Sequence, residues 1–271
     1  MKERVFTFGT DGILMGVLTE PDQTRPDAPV VVMSNVGLNP RVGPHRCWVE
    51  LARVLATLGF ASFRFDLNGL GDSLPRRDAR NDLERACVDL GEALDFLEKK
   101  RGSSTFLLVG MCSGTDAVHQ VATKDSRVAG AVFLDGYSYE TLRSKIHKRL
   151  RRLTVAGIKR AIRRRLPRLG GHEVGEFEEI YQREYPTPRA MSADLETMLA
   201  RNTKLLFIYS GGLWLFFNYR EQFFEMLRPA RFEERIEVEL RATADHVYML
   251  PAERRWMVQR VSSWIAGQFS A

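Results

Sequence analysis

Cys112 stands between two glycines, in Gly110-Met111-Cys112-Ser113-Gly114, directly after an apolar run and directly before a helical pattern. A nucleophile held on a sharp strand-to-helix turn needs small residues two positions away on each side, and Gly110 and Gly114 meet that condition. The helix opening near Ser113 aims amide N–H groups and a partial positive charge at the sulfur, which favours thiolate. The plainer role for a free cysteine is that of a small buried hydrophobe. Ser113 is the rival nucleophile, but centring the turn on it puts Met111 where a small residue is required. Cys112 is therefore the expected nucleophile, and its chemistry is acyl transfer through a covalent thioester.

That chemistry calls for a base, an orienting acid and two N–H donors for the developing oxyanion. His246, in Ala244-Asp245-His246 after the last apolar run, is the expected base. His119 falls inside the helix after the turn, and His147 and His172 fall in a basic interval with no strand pattern. The acid is harder to place. After the run Lys204–Tyr209 the chain reads Ser210-Gly211-Gly212-Leu213-Trp214, without a carboxylate. Asp135, one strand earlier in Leu134-Asp135-Gly136-Tyr137, is the acid that the family resemblance given below implies, against the alternatives of Asp245 beside His246, a plain turn aspartate or a dyad without acid. For the oxyanion, Ser113 supplies one amide. Val36 or Gly37, in Ser34-Asn35-Val36-Gly37, supplies the other, with Asn35 shaping the loop. His45, Trp214 and Phe217 are expected to contact substrate.

Elements that hold such a site are visible as a rhythm. A hairpin spans Val5–Phe8 and Ile13–Leu18. Apolar runs at Val30–Met33, Ala61–Phe65, Phe106–Val109, Val128–Leu134, Lys204–Tyr209 and Ile236–Leu240 then alternate with amphipathic stretches at Cys47–Leu58, Leu83–Leu97, Thr115–Ala122, Tyr219–Leu227 and Ala252–Phe269. Alternation of this kind predicts a mostly parallel sheet covered by helices, with ligands at the carboxyl ends of its strands. Residues 138–203 break the rhythm. Leu142, Ile146, Leu150 and Leu153, then Val155, Ile158, Ile162 and Leu166, follow helical spacing; Gly170-Gly171 and an acidic run Glu173–Glu184 come next. The expectation is a helical cap at 138–203 on a core of 1–137 and 204–271.

On these residues the chain resembles the α/β-hydrolase superfamily along nearly all of its length. Phe65-Asp66-Leu67-Asn68-Gly69-Leu70-Gly71-Asp72-Ser73 looks like that family's D-x-x-G-x-G-x-S loop, and the order Cys112…His246 matches its nucleophile and histidine. A cysteine in the elbow is similar to dienelactone hydrolases and polyhydroxyalkanoate synthases. Gly43-Pro44-His45-Arg46, Arg64-Phe65-Asp66 and Cys112-Ser113-Gly114 together look like bacterial hydrolase-like proteins of exopolysaccharide and natural-product pathways. The resemblance implies an α/β-hydrolase fold with a cap and a Cys–His–(Asp) site. Asp66 is expected to be structural.

Composition bounds the rest. The 271 residues are 44% hydrophobic and 27% charged, which suits an ordinary globular chain. No stretch approaches the roughly 18 uninterrupted apolar residues of a membrane-spanning helix. Charges at Lys2, Glu3 and Arg4 argue against a secretion signal, and three cysteines are too few for a disulfide scaffold, so a cytoplasmic location is expected. No metal or redox cofactor is implied. Of 40 Lys and Arg, 12 lie between Thr141 and Arg168 with no acid among them, leaving 28 against 34 acidic residues elsewhere. One segment makes the protein basic, so nucleic acid is not implied. A solvated face accounts for such a run; docking of coenzyme A phosphates, of an acidic acyl-carrier protein, or of an anionic membrane surface at 141–168 are the functional readings. A cysteine shifts the expected reaction towards acyl transfer, or towards thioester and lactone cleavage. The alternatives are a non-catalytic binding protein on the same fold and a peripheral membrane protein.

Overall fold

The computed structural model of the protein describes residues 1–153, 185–227 and 235–269. The hairpin is β1 (Lys2–Phe8) and β2 (Leu14–Glu20), and β2 pairs antiparallel with β4 (Ser62–Asp66). From there β3 (Val30–Met33), β5 (Phe106–Met111), β6 (Val128–Leu134), β7 (Lys204–Ser210) and β8 (Ile236–Arg241) continue the sheet in parallel, in the order β1-β2-β4-β3-β5-β6-β7-β8.

The short apolar runs are strands because both of their faces are covered. Val30, Val32, Phe106 and Leu108 point to one face; Val31, Met33, Leu107, Val109 and Met111 point to the other. The first face is closed by α2 (Asp82–Arg101), α3 (Gly114–Lys124) and α5 (Pro188–Ala200), through residues such as Leu90, Leu94, Val118 and Leu195. The second is closed by α1 (Cys47–Thr57) and α7 (Pro251–Gln268), through Trp48, Leu51, Leu55, Met257 and Trp264. Local signals set the helix ends. Asn81 accepts from the Glu84 amide while Glu84 returns a bond to the Asn81 amide, both at 2.9 Å, a reciprocal cap on α2. Between β7 and β8 the helix expected over Tyr219–Leu227 is the shorter α6 (Gln222–Met226).

The interval 138–203 holds α4 (Leu142–Leu153) and α5, and no strand among its described residues. It is not a cap throughout. Met191, Leu195, Met198 and Leu199 of α5 are buried in the core cluster, so that helix belongs to the layer covering the sheet. The expected helical spacing through Val155, Ile158, Ile162 and Leu166, together with His172, Gly170-Gly171 and the acidic Glu173–Glu184, lies outside the described residues. Among the described residues no helix is long and apolar enough to cross a membrane.

Candidate active site

β5 ends at Met111, and the chain turns into α3 through Cys112, whose φ is +52°. Positive φ is rare for a residue with a side chain and is tolerated only where surrounding contacts enforce it. Here the Cys112 amide donates to Leu134 O at 2.9 Å, while Cys112 O accepts from the Thr115 amide at 3.0 Å and from Thr115 Oγ1 at 2.5 Å. The glycines explain themselves. A β-carbon on Gly110 would lie 2.6 Å from Gly114 O, and one on Gly114 would collide with Asn35 O. Ser113 has ordinary helical φ of −60°, so the strained apex of the turn is Cys112. The Cys112 side chain is half-buried.

His246 reaches this turn from the loop after β8. Its Nδ1 is 2.7 Å from Asp135 Oδ2, and its ring also hydrogen-bonds the Cys112 side chain. Asp135 is fully buried, at the carboxyl end of β6, with φ of +53° and its amide on Ile208 O at 2.8 Å. The imidazole thus pairs with the Asp135 carboxylate and interacts with the Cys112 side chain. Burial opposes a charge on the ring, but the hydrogen bonds to Asp135 and Cys112 and the negative charge on both raise the His246 pKa to about 10.

Ser210 was not anticipated as part of the site. Its amide donates to Asp135 Oδ1 and its hydroxyl to Asp135 Oδ2, each at 2.6 Å. The carboxylate therefore has three donors, His246 and two from Ser210, with no water needed to satisfy it. The two glycines that follow have steric work. A β-carbon on Gly211 would strike Ala242 O, and one on Gly212 would lie 2.5 Å from the His246 amide nitrogen. The sequence signal is Ser210-Gly211-Gly212, a hydroxyl and two glycines directly after β7.

Of the expected oxyanion donors, Ser113 lies beside the sulfur at the start of α3. The Gly37 amide, however, donates to Ser113 Oγ at 2.8 Å, which corrects the expectation that it is a free donor: it ties the loop to the elbow. Val36 is buried and faces Asn39 in an isolated antiparallel bridge. Asn35 shapes this loop, with Nδ2 on Asn39 O at 2.7 Å and Oδ1 accepting from the Leu67 amide at 3.1 Å. Asp66 is structural: it accepts from the Arg41 and Asp72 amides and pairs with the Arg41 guanidinium.

The expected substrate contacts divide. His45 is exposed in the turn Pro44–Arg46, with φ of +50°. Trp214 is half-buried and, with His147, Lys148, Leu150 and Asn218, lines an open cleft of about 320 Å³ between α4 and the segment after β7. Phe217 is fully buried and stacked on Tyr209, ring centroids 3.7 Å apart. That is a packing position, so Phe217 does not line the cleft. His119 likewise packs, with Nε2 2.8 Å from Asp194 Oδ2 and its ring edge-on to Tyr137. Among the described residues no cluster of His, Cys, Asp and Glu could hold a metal ion.

No family model matches the sequence, and no curated protein matches it. Solved structures do. An esterase from Pyrococcus furiosus superposes with a TM-score of 0.65 over 100% of this chain and 91% of its own, at 14% identity. The α/β-hydrolase GrgF from Penicillium sp. gives 0.62 over 100% and 99%, at 16% identity. This chain has the α/β-hydrolase fold. The esterase domain of a Rhodothermus marinus protein adds a TM-score of 0.59 over 99% of both chains, at 19% identity. At such identities the likeness speaks for architecture.

Proposed function

We propose that the protein is an acyl-transferring or acyl-hydrolysing enzyme that works through an acyl-thioester on Cys112. The observation that carries this reading is the continuous hydrogen-bonded line Cys112–His246–Asp135, with the sulfur at a positive-φ apex ahead of α3. Esterase and hydrolase names among the structural neighbours agree with the reaction class.

The raised His246 pKa sets the resting state. In this reading the ring, held between a buried carboxylate and the sulfur, takes the thiol proton and leaves the sulfur as the thiolate nucleophile. The thiolate attacks the substrate carbonyl carbon; a C–S bond forms and the carbonyl π pair moves onto oxygen, where the Ser113 amide, with Val36 as second donor, meets it. Collapse breaks the bond to the leaving group, which departs with the proton of His246 Nε2. Water or another acceptor next attacks the acyl-thioester, His246 Nε2 takes the acceptor's proton, and collapse returns the thiolate. His246 is thus acid first and base second. Asp135 holds the ring with Nδ1 towards itself, and the cleft beside Trp214 offers room for an apolar acyl chain.

Because the intermediate is itself a thioester, exchange with a thioester donor is close to thermoneutral, which suits coenzyme A- or carrier-bound acyl groups, activated esters and lactones. The test is turnover of a panel of p-nitrophenyl esters and acyl-thioesters of graded chain length, with and without nucleophilic acceptors. The wild type is expected to turn over at least one class. Cys112→Ala should lose it by on the order of 10³-fold or more. Equal turnover in wild type and Cys112→Ala would exclude Cys112 as the nucleophile, and no turnover of any class would indicate a binding protein on this fold.

A further inference from the structure

We infer that the active-site face of this protein docks on an anionic lipid bilayer surface, with α4 as the element lying in the headgroup layer. The inference rests on where large apolar side chains are left in water. Of twelve such exposed residues among those described, ten lie in connections that leave the carboxyl ends of parallel strands; the other two, Met1 and Val5, lie at the β1 edge. Leu38 follows β3, Leu74 follows β4, Leu215 and Phe216 follow β7, and Met249 and Leu250 follow β8. The remaining four fall in the β6–β7 connection, three of them on α4. Exposed apolar residues scattered singly mean little, but a set confined to the rim around one site marks an interaction surface.

α4 supplies the specificity. Leu142, Ile146 and Leu150, four residues apart, are 82%, 54% and 58% exposed, while the buried position among them is polar, Ser144. The helix thus turns Leu142 and Ile146 away from the protein, while Leu150, also exposed, borders the cleft beside Trp214. Lys145 and Arg149 border the stripe on one side and Arg143 on the other, and no acidic residue occurs in the helix. Arg143 pairs with Glu225 at 3.3 Å and Lys145 loosely with Glu140 at 3.8 Å, while both the lysine and the arginine side chain stay about half exposed. An apolar stripe flanked by cations is the geometry of a helix lying in an anionic lipid interface, its side chains among the acyl chains and its cations among the headgroups. Contacts link this helix to the site: Arg143 lies over Tyr219 and Lys148 over Phe216, both in the segment after β7 whose Gly212 abuts His246. A protein partner would need a shaped groove for one stripe. A bilayer accommodates separate apolar side chains from several connections at once, which is how the rim is built.

The docking does not depend on Cys112 being a nucleophile, and its test reads no turnover. The full chain is sedimented with vesicles of phosphatidylcholine alone and of phosphatidylcholine with phosphatidylglycerol, at low and high salt, beside Leu142→Glu/Ile146→Glu and Lys145→Glu/Arg149→Glu. Both variants are on exposed positions, and thermal melting checks that they fold. Wild type is expected to bind the anionic vesicles and to lose binding in high salt, with each double variant binding about tenfold or more weakly. Failure of wild type to bind, binding indifferent to the anionic lipid, or undiminished binding by the variants overturns the inference. So does concentration-dependent self-association of wild type that the Leu142→Glu/Ile146→Glu variant abolishes without any vesicle binding, since the stripe then covers a second copy of the chain.

Discussion

The three cysteines give an internal contrast at the scale of single residues. Burial pushes the Cys47 thiol up to about 12 and the Cys87 thiol up to about 11, so both stay protonated at neutral pH. Cys112 instead lies beside His246, whose pKa is raised, and in the proposed mechanism it is the thiolate of an ion pair. Iodoacetamide at pH 7, read by peptide mass mapping, should therefore label Cys112 at least ~10²-fold faster than the other two, because the thiolate is the reacting form. Equal slow rates would contradict the proposed ion pair. Ser210 makes a finer prediction. Ser210→Ala removes one of the three donors to Asp135 and should lower kcat/KM by roughly 10- to 100-fold, in line with ~1.5–3 kcal/mol for a hydrogen bond to a charged group. It should also move the pKa of His246 in the pH–rate profile, which a merely structural residue would not do. The strand ends and the glycine spacing single out Cys112, His246 and Asp135 in the sequence, and the structure places Asp135 Oδ2 2.7 Å from His246 Nδ1. Ser210 was not legible there, since its meaning depends on β6 and β7 being neighbours. Gly37 was misjudged for a related reason: nothing local shows that its amide is claimed by Ser113 Oγ.

At the scale of elements, the elbow is a packing problem as much as a chemical one. Gly110 approaches Gly114 and Gly114 approaches Asn35, so β5, α3 and the loop after β3 are pressed together at one point. Gly114→Ala should force the loop at Asn35 outwards, destabilise the fold by about 1–3 kcal/mol in denaturant titrations, and depress activity more than stability. A neutral outcome would mean that the close approach is not required. Strand positions were readable from the sequence because the central runs Val30–Met33, Phe106–Val109 and Val128–Leu134 are apolar on both faces, while Ile236–Leu240 alternates with Glu237 and Glu239. Helix α5 was not recognised as part of the core, because Met191, Leu195 and Met198 lie in an interval without strands, and what they cover is visible only once the sheet is assembled. The helical spacing of α4 was read correctly. Its outward-facing leucines were not, because periodicity identifies an apolar face without saying which way it turns.

For the whole molecule the ionisable groups define a pH window. Glu3 is held below the usual carboxylate range by its hydrogen bond from Arg53, and Asp125, despite burial, by hydrogen bonds from Arg127. A carboxylate depressed in the folded state stabilises at pH above its unfolded value, and that contribution is lost as pH falls through the folded one. His246 works in the opposite sense. With its folded pKa raised to about 10 from 6.5, its contribution is complete below about 6.5 and is lost progressively as pH rises towards 10. Melting temperature followed across pH should therefore peak on the weakly acidic side of neutrality and decline in both directions. Asp135→Asn should flatten the decline between pH 7 and 10, because it removes the partner that holds the His246 proton. An unchanged alkaline slope in that variant would mean that His246 does not carry the charge assigned to it. The arrangement of exposed apolar residues also belongs to this scale and was illegible in the chain, since exposure is a property of the assembled molecule.

The proposed chemistry requires the Cys112 sulfur to take an acyl group. Intact-mass spectrometry after acid quench of protein mixed with a short-chain p-nitrophenyl ester or acyl-thioester reads this directly, with peptide mapping to locate the adduct. The expected result is a single acyl increment on Cys112 that is absent in Cys112→Ala and strongly slowed in His246→Ala. An adduct on Ser113, or an acyl increment that forms equally well without His246, would contradict it.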